Sequence, residues 1–148
     1  MSRGHEIRRL AESDLEEFRR MRRALWPSTE DAEADELLSR EAREYVVFVA
    51  ERGGGGLAGF AEVGTRNYAE GCKSSPVAYL EGIWVDPDRR RSSIGADLVD
   101  AGLAWAREYG FRDFASDCEL DNDVSYAFHR AIGFAEVDRV ICFQRDVE

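Results

Sequence analysis

The chain has 148 residues, 44% apolar and 34% charged, with 30 acidic against 20 basic side chains and a formal net charge of −10. That length gives one domain over residues 1–148 with a single core, and the negative excess repels nucleic acid and attracts cations. No apolar run can span a bilayer, the N-terminus lacks the apolar stretch of a signal peptide, and Cys72, Cys118 and Cys142 are too scattered for a zinc site, so a cytoplasmic protein with free thiols and no metal is expected.

Residues 5–10 read as a short strand. Ser13-Asp14-Leu15-Glu16 has the capping-box pattern, with Ser13 accepting from the first turn and Glu16 reaching back. Leu15, Phe18, Met21 and Leu25 recur at helical spacing until Pro27 stops the helix. A second helix is expected over 31–43, with Ala34, Leu37 and Leu38 as its apolar stripe. Residues 45–51 and 57–65 read as strands, joined into a hairpin by the four glycines 53–56. The polar stretch 66–77, which contains Pro76, is a loop, and 79–85 is the next strand. Residues 93–109 form the clearest helix: Ile94, Leu98, Ala101 and Trp105 share one face and Gly110 supplies the stop. A strand over 112–118, a helix over 122–132 ended by Gly133 and a strand over 134–145 complete the chain. The order β-α-α-β-β-β-α-β-α-β describes an α+β fold, a central mixed sheet flanked by helices.

Three features carry chemistry. Arg90-Arg91-Ser92-Ser93-Ile94-Gly95 lies between a strand and a helix. Unpaired N–H groups, the positive end of the helix dipole and two arginines there suit a phosphate or pyrophosphate; a basic turn capping an ordinary helix is the other reading. Glu81 interrupts an apolar strand, on the face that alternation assigns to Tyr79, Ile83 and Val85. A carboxylate there needs a partner, so it binds an amine or acts as a base, or else marks the mouth of an edge strand. Asp117 lies near the C-terminal end of a strand, where ligand sites gather, or simply caps a loop. Trp26 and Tyr68 are flat walls for a sugar ring, or core and surface respectively.

The pattern R-x-x-S-x-G of Arg90, Ser93 and Gly95 resembles the acetyl-CoA pyrophosphate loop of the GNAT N-acetyltransferases, usually Q/R-x-x-G-x-G/A, with Ser93 in the first glycine's place. Asn122 and Ala131-Ile132-Gly133-Phe134 are similar to that family too. Leu25-Trp26-Pro27, Gly71-Cys72-Lys73-Ser74-Ser75-Pro76-Val77, residues 79–85, Ala115-Ser116-Asp117 and 133–141 resemble the aminoglycoside 6'-N-acetyltransferases, so that the likeness runs over nearly the whole chain.

The resemblance implies a GNAT-like fold with acetyl-CoA as co-substrate. Arg90, Arg91, Ser92, Ser93, Ile94, Gly95, Ala96 and Asn122 would hold it, and the backbone of Ile83, Trp84 and Val85 would meet its thioester and pantetheine where two strands part. It implies an aminoglycoside acceptor held by Trp26, Tyr68, Glu81, Asp117 and Asp138, the last standing where a close relative has glutamate. Glu81, Asp117 and His129 become the catalytic candidates. His129 occupies the place, four residues before Gly133, where many GNAT enzymes have a tyrosine; Tyr126 is the second candidate for that role. Homodimers are common in the resembled family. Two other readings stand beside this one: the same fold acting on a polyamine, amino acid or protein amine, and a non-catalytic CoA-binding module. Glu81 and Asp117 argue against the module, since a passive binder has no need of carboxylates near a thioester.

Overall fold

The computed structural model of the chain describes residues 4–148. Strands β1 (His5–Arg9), β2 (Tyr45–Arg52), β3 (Leu57–Arg66), β4 (Val77–Val85) and β5 (Phe114–Ala115) form one sheet in that order. The first three pairings are antiparallel and β4–β5 is parallel, which makes the sheet mixed. Helices α1 (Leu15–Leu25), α2 (Asp31–Leu37), α3 (Ile94–Glu108) and α4 (Asp123–Ala131) complete the order β-α-α-β-β-β-α-β-α.

Strand alternation splits the core into two layers. Val47, Val49 and Phe60 face α1 and α2, where Phe18, Met21 and Ala34 cover them. Phe18 meets Phe60 edge-on at 5.1 Å between centroids. Val46, Phe48, Ala61 and Val63 face the other way, onto Ile94, Leu98 and Trp105 of α3, with Ala101 partly buried beside them. Each large side chain so buried contributes about 1.5–3 kcal/mol. Just past β4, the buried Asp86 ties this framework together. It accepts from Arg20 of α1, from Arg52 of β2 and from the Trp84 indole. Burial alone would raise its carboxyl, but hydrogen bonds from Arg20, Trp84 and Arg52 outweigh burial and hold it below the usual range.

Several expectations need correction. The Ser13–Glu16 capping box is not formed. Ser13 lies inside a 3₁₀ turn (Glu12–Asp14), and Asp14 instead accepts the Ala11 N–H at 2.8 Å while Arg8 holds both its oxygens at 2.7 and 2.9 Å. A charged acceptor clamped by a guanidinium outcompetes a serine hydroxyl. Helix α2 stops at Leu37 rather than 43, where the Ser39 hydroxyl donates to the Glu36 carbonyl at 2.7 Å and competes with further helix. Strand β5 is two residues long rather than seven.

The strand expected over 134–145 is absent. Phe134 packs on Phe114 and His129, with centroids 5.6 and 5.3 Å apart, but residues 135–148 are all exposed and none is in a strand. A strand requires a neighbour for its backbone groups, and among the described residues this segment has no strand beside it.

Candidate active site

The site is organised by an irregularity in β4. Opposite β3, Glu62 pairs with Gly82 and Val63 pairs with Leu80, so Glu81 is an extra residue in the ladder. A bulge of this kind re-aims side chains and reverses the alternation beyond it. Ile83 and Val85 accordingly pack with the α3 layer, while Trp84 packs with the α1 layer. The expectation that Glu81 shares a face with Ile83 and Val85 is therefore wrong; Glu81 keeps company with Tyr79 only. Gly82 makes room for this arrangement, because a side chain there would run into the Trp26 ring.

Glu81 lines a cleft of about 380 Å³ together with Trp26, Thr29, Glu33, Tyr45 and Glu62. Trp26 ends α1 and lies between Gly82 and the Arg22 guanidinium, which sits 4.9 Å from the ring centroid. Arg22 is held in turn by buried Glu62, at 2.6 and 3.3 Å, and by the Thr29 hydroxyl at 2.7 Å. Tyr45 donates to Glu62 at 2.5 Å; burial, then the Glu62 charge, push its phenol far up, so it remains a donor.

On the other side of Glu81, Arg66 donates to both carboxylate oxygens, at 3.0 and 2.6 Å, and stacks 3.5 Å from the Tyr79 ring centroid. The Tyr79 hydroxyl donates to Asp117. Burial first, then this bond, push the Tyr79 phenol up and keep it protonated. Trp26 and Glu81 thus share one cleft, and Arg66 links Glu81 to Tyr79, which in turn holds Asp117. A larger hollow of about 720 Å³, near Pro76 and Tyr109, is bordered by Arg43 and Arg112 and offers a cation less.

The anion loop lies at the end of the same strand. Arg90, Arg91, Ser92 and Ser93 are exposed and lead into α3; Ile94 and Gly95 are buried and Ala96 half-buried. Arg91 takes a positive φ of 62°. Arg90 donates to the Val85 carbonyl at 2.9 Å and lies 4.8 Å from the Trp84 ring centroid. Ser92 closes on the Arg89 carbonyl at 2.5 Å, and Ser93 turns to Asp97 at 3.0 Å instead of capping the helix. Beside this loop β4 is open. Among the described residues it pairs with β5 only at Ala78–Phe114 and Tyr79–Ala115, so Ile83, Trp84 and Val85 have no described strand on that side. An exposed basic loop at the start of a 15-residue helix, next to a free strand edge, suits a phosphorylated ligand. Gly95 also seats α4 on α3, since a Cβ there would come within 2.8 Å of the Phe128 ring.

The remaining candidates are more scattered. His129 is half-buried where β4 and β5 part; its Nδ1 lies 2.7 Å from the Ser125 carbonyl and its Nε2 2.8 Å from the Ser116 hydroxyl. Only a protonated Nδ1 can bond that carbonyl, so Nε2 accepts from Ser116 in the neutral ring. Asn122 caps α4, accepting from Ser125 N–H at 3.0 Å. Tyr68 is 68% exposed on the loop after β3. Asp138 is on the exposed C-terminal segment and accepts its neighbour Arg139's N–H. Tyr126 donates to Glu136. Among the described residues, no group of three or more His, Cys, Asp or Glu is placed to hold a metal, and no helix is long and apolar enough to cross a membrane.

Arg22, Glu62, Tyr45, Arg66 and Tyr79 were not foreseen. Two signals were available: Arg22 stands at i+4 from Phe18, inside the apolar stripe of α1, and Glu62 interrupts an apolar strand as Glu81 does.

Residues 7–134 match the model of the acetyltransferase (GNAT) family. The aminoglycoside N(6')-acetyltransferase type 1 of Klebsiella aerogenes is 41% identical over 144 residues, covering 94% of this chain and 95% of that protein. The enzyme of the same name from Acinetobacter baumannii is 36% identical over 140 residues, 93% of this chain and 96% of its own. Among solved structures, AAC(6')-Iy in complex with the bisubstrate analogue CoA-S-monomethyl-acetylneamine superposes with a TM-score of 0.90 at 35% identity, over 97% of this chain and 99% of that one. AAC(6')-Ih of Acinetobacter baumannii gives 0.90 at 36% identity, over 98% of this chain and all of that one.

Proposed function

The chain belongs to the acetyltransferase (GNAT) family, and on that premise we propose that it transfers the acetyl group of acetyl-CoA to the 6'-amine of aminoglycosides, conferring resistance to them. We read residues 1–148 as one catalytic domain. The observation that carries the reading is the bulge at Glu81. It places a carboxylate in the cleft beside Trp26, tied through Arg66 to Tyr79 and its partner Asp117, near the point where β4 loses its parallel neighbour. One strand segment thereby offers an amine-binding wall on one side and a free backbone edge on the other. Relatives carrying the 6'-acetyltransferase name across nearly their full length support the same acceptor.

Acetyl-CoA supplies an electrophilic thioester carbonyl and a thiolate leaving group. Arg90, Arg91 and the N–H groups of residues 92–96 suit its pyrophosphate, with Asn122 capping the helix nearby. The backbone of Ile83, Trp84 and Val85 lines the open edge and can polarise a carbonyl there. Trp26 and Tyr68 wall the acceptor ring, and Glu81 and Asp117 hold its ammonium groups. Glu81, directly or through water, accepts the proton that the amine must lose before it attacks. We assign His129 to fixing Ser116 and α4 at the strand split rather than to protonating the thiolate, because both its ring nitrogens are engaged.

We further propose a cytoplasmic homodimer. The free cysteines fit a reducing compartment that also contains acetyl-CoA. The C-terminal segment exposes Val137 (63%), Val140 (58%), Ile141 (82%) and Phe143 (91%), an apolar cluster that suits a second copy of this chain. Asp138 would then serve an acceptor site from that segment. Sedimentation should show a dimer that Phe143→Asp converts to monomer; a monomeric wild type rejects this assignment.

The acceptor reading is tested by thiol release from acetyl-CoA. Turnover is expected with kanamycin and tobramycin and not with spermidine or a lysine peptide. Preference for spermidine or peptide would move the acceptor to another amine class.

A further inference from the structure

In the free protein the cation that faces the acceptor carboxylate is the protein's own. Arg66 gives Glu81 two hydrogen bonds and covers the face of Tyr79, whose hydroxyl holds Asp117. A carboxylate at the side, an aromatic face below and a second carboxylate beyond are the groups that a substrate ammonium would seek. Resting on the aminoglycoside reading, we propose that Arg66 is an internal occupant of the amine subsite, which the acceptor's ammonium group displaces on binding.

The geometry permits exchange. The Arg66 side chain is 44% exposed and that of Glu81 23%, whereas the neighbouring Arg22–Glu62 pair is 8% and 1% exposed. A pair in contact with water contributes little and is readily remade with another cation. Arg66 is the last residue of β3, and the loop beyond it is polar, so its guanidinium can swing into solvent while its strand stays paired. Tyr79 and Asp117 remain where they are, since their bond does not involve Arg66. While it is in place, Arg66 neutralises Glu81 and keeps the carboxylate turned into the cleft. The acceptor meets a formed site with a competitor in it.

The exchange has a sign that an ordinary supporting role lacks. Arg66→Met removes the competing charge and keeps much of the side-chain length. It should lower the acceptor KM roughly three- to tenfold, the range expected from an exposed ion pair plus one cation–π contact, and by the same factor for kanamycin, tobramycin and neamine. The KM for acetyl-CoA should not move. Arg66→Lys, which restores a cation, should return the acceptor KM toward wild type. An unchanged or raised acceptor KM in Arg66→Met overturns the proposal, the latter showing that Arg66 only supports Glu81. A second readout does not depend on turnover: in the free protein the Arg66 Nε–H should give a hydrogen-bonded ¹⁵N–¹H resonance that tobramycin shifts to the solvent-exposed position. A resonance that stays hydrogen-bonded at saturating tobramycin also overturns it. Absence of wild-type turnover with every aminoglycoside would instead count against the acceptor reading.

Discussion

Two arginine–glutamate pairs border the proposed acceptor site, alike in chemistry and unlike in setting. Arg22–Glu62 is sealed under Trp26, and Tyr45 and Thr29 complete its hydrogen bonds. Arg66–Glu81 stands at the rim, with only the Tyr79 ring beneath it. The buried pair cannot exchange its partner without leaving a charge stranded in low dielectric. It fixes the angle of Trp26. The rim pair faces water, so either member can take another partner. Burial, not residue type, separates the pair that is locked in place from the pair that is placed to change partners.

The largest expected effect breaks the buried pair. Glu62→Ala strands Arg22 and should cost about 3–5 kcal/mol of stability. At roughly 2–4 °C per kcal/mol for a chain of this size, that is a fall in Tm of order ten degrees, read by thermal denaturation. Arg66→Ala, at the rim, should cost under about 1 kcal/mol. Equal losses would erase the distinction between the two pairs.

Glu81→Gln sharpens the comparison on the chemical side. If Glu81 is the base, kcat should fall about 10²-fold or more and the acidic limb of the pH–rate profile should flatten. Stability should barely change. A variant with wild-type turnover and an unchanged acidic limb would leave Asp117 or the substrate's own free amine to manage the proton.

A third arginine serves as control. Arg90 lies at the open strand edge rather than at the cleft. Arg90→Glu should weaken acetyl-CoA about tenfold by calorimetry, through repulsion at the pyrophosphate, and leave acceptor binding unaltered. A matched loss for both ligands would point to a general folding defect.

Much of this was legible from residues alone. The α1 and α3 stripes, the glycine hairpin and the basic loop follow from periodicity and turn chemistry, which are local. Trp26 and Glu81 were singled out as acceptor residues, and the structure brings them to one cleft. The bulge was not legible. Alternation over 79–85 is counted from residue position, and a single inserted residue reverses it without leaving a sequence mark other than Gly82. Arg66 escaped notice because its partners are 15 and 13 residues away in sequence, on a different strand. The segment 134–145 is rich in β-branched and aromatic residues, yet a residue preference describes a side chain and not a neighbour. Its backbone has no described strand to pair with in this chain, and residues 135–148 stay exposed.

The central claim is that this cleft presents a 6'-amine to the thioester. Neomycin and paromomycin differ only at that position, amine in one and hydroxyl in the other. The most direct measurement is CoA release from acetyl-CoA with each, at matched concentrations. Turnover is expected with neomycin and none with paromomycin. Equal turnover with both, or none with either, would contradict it.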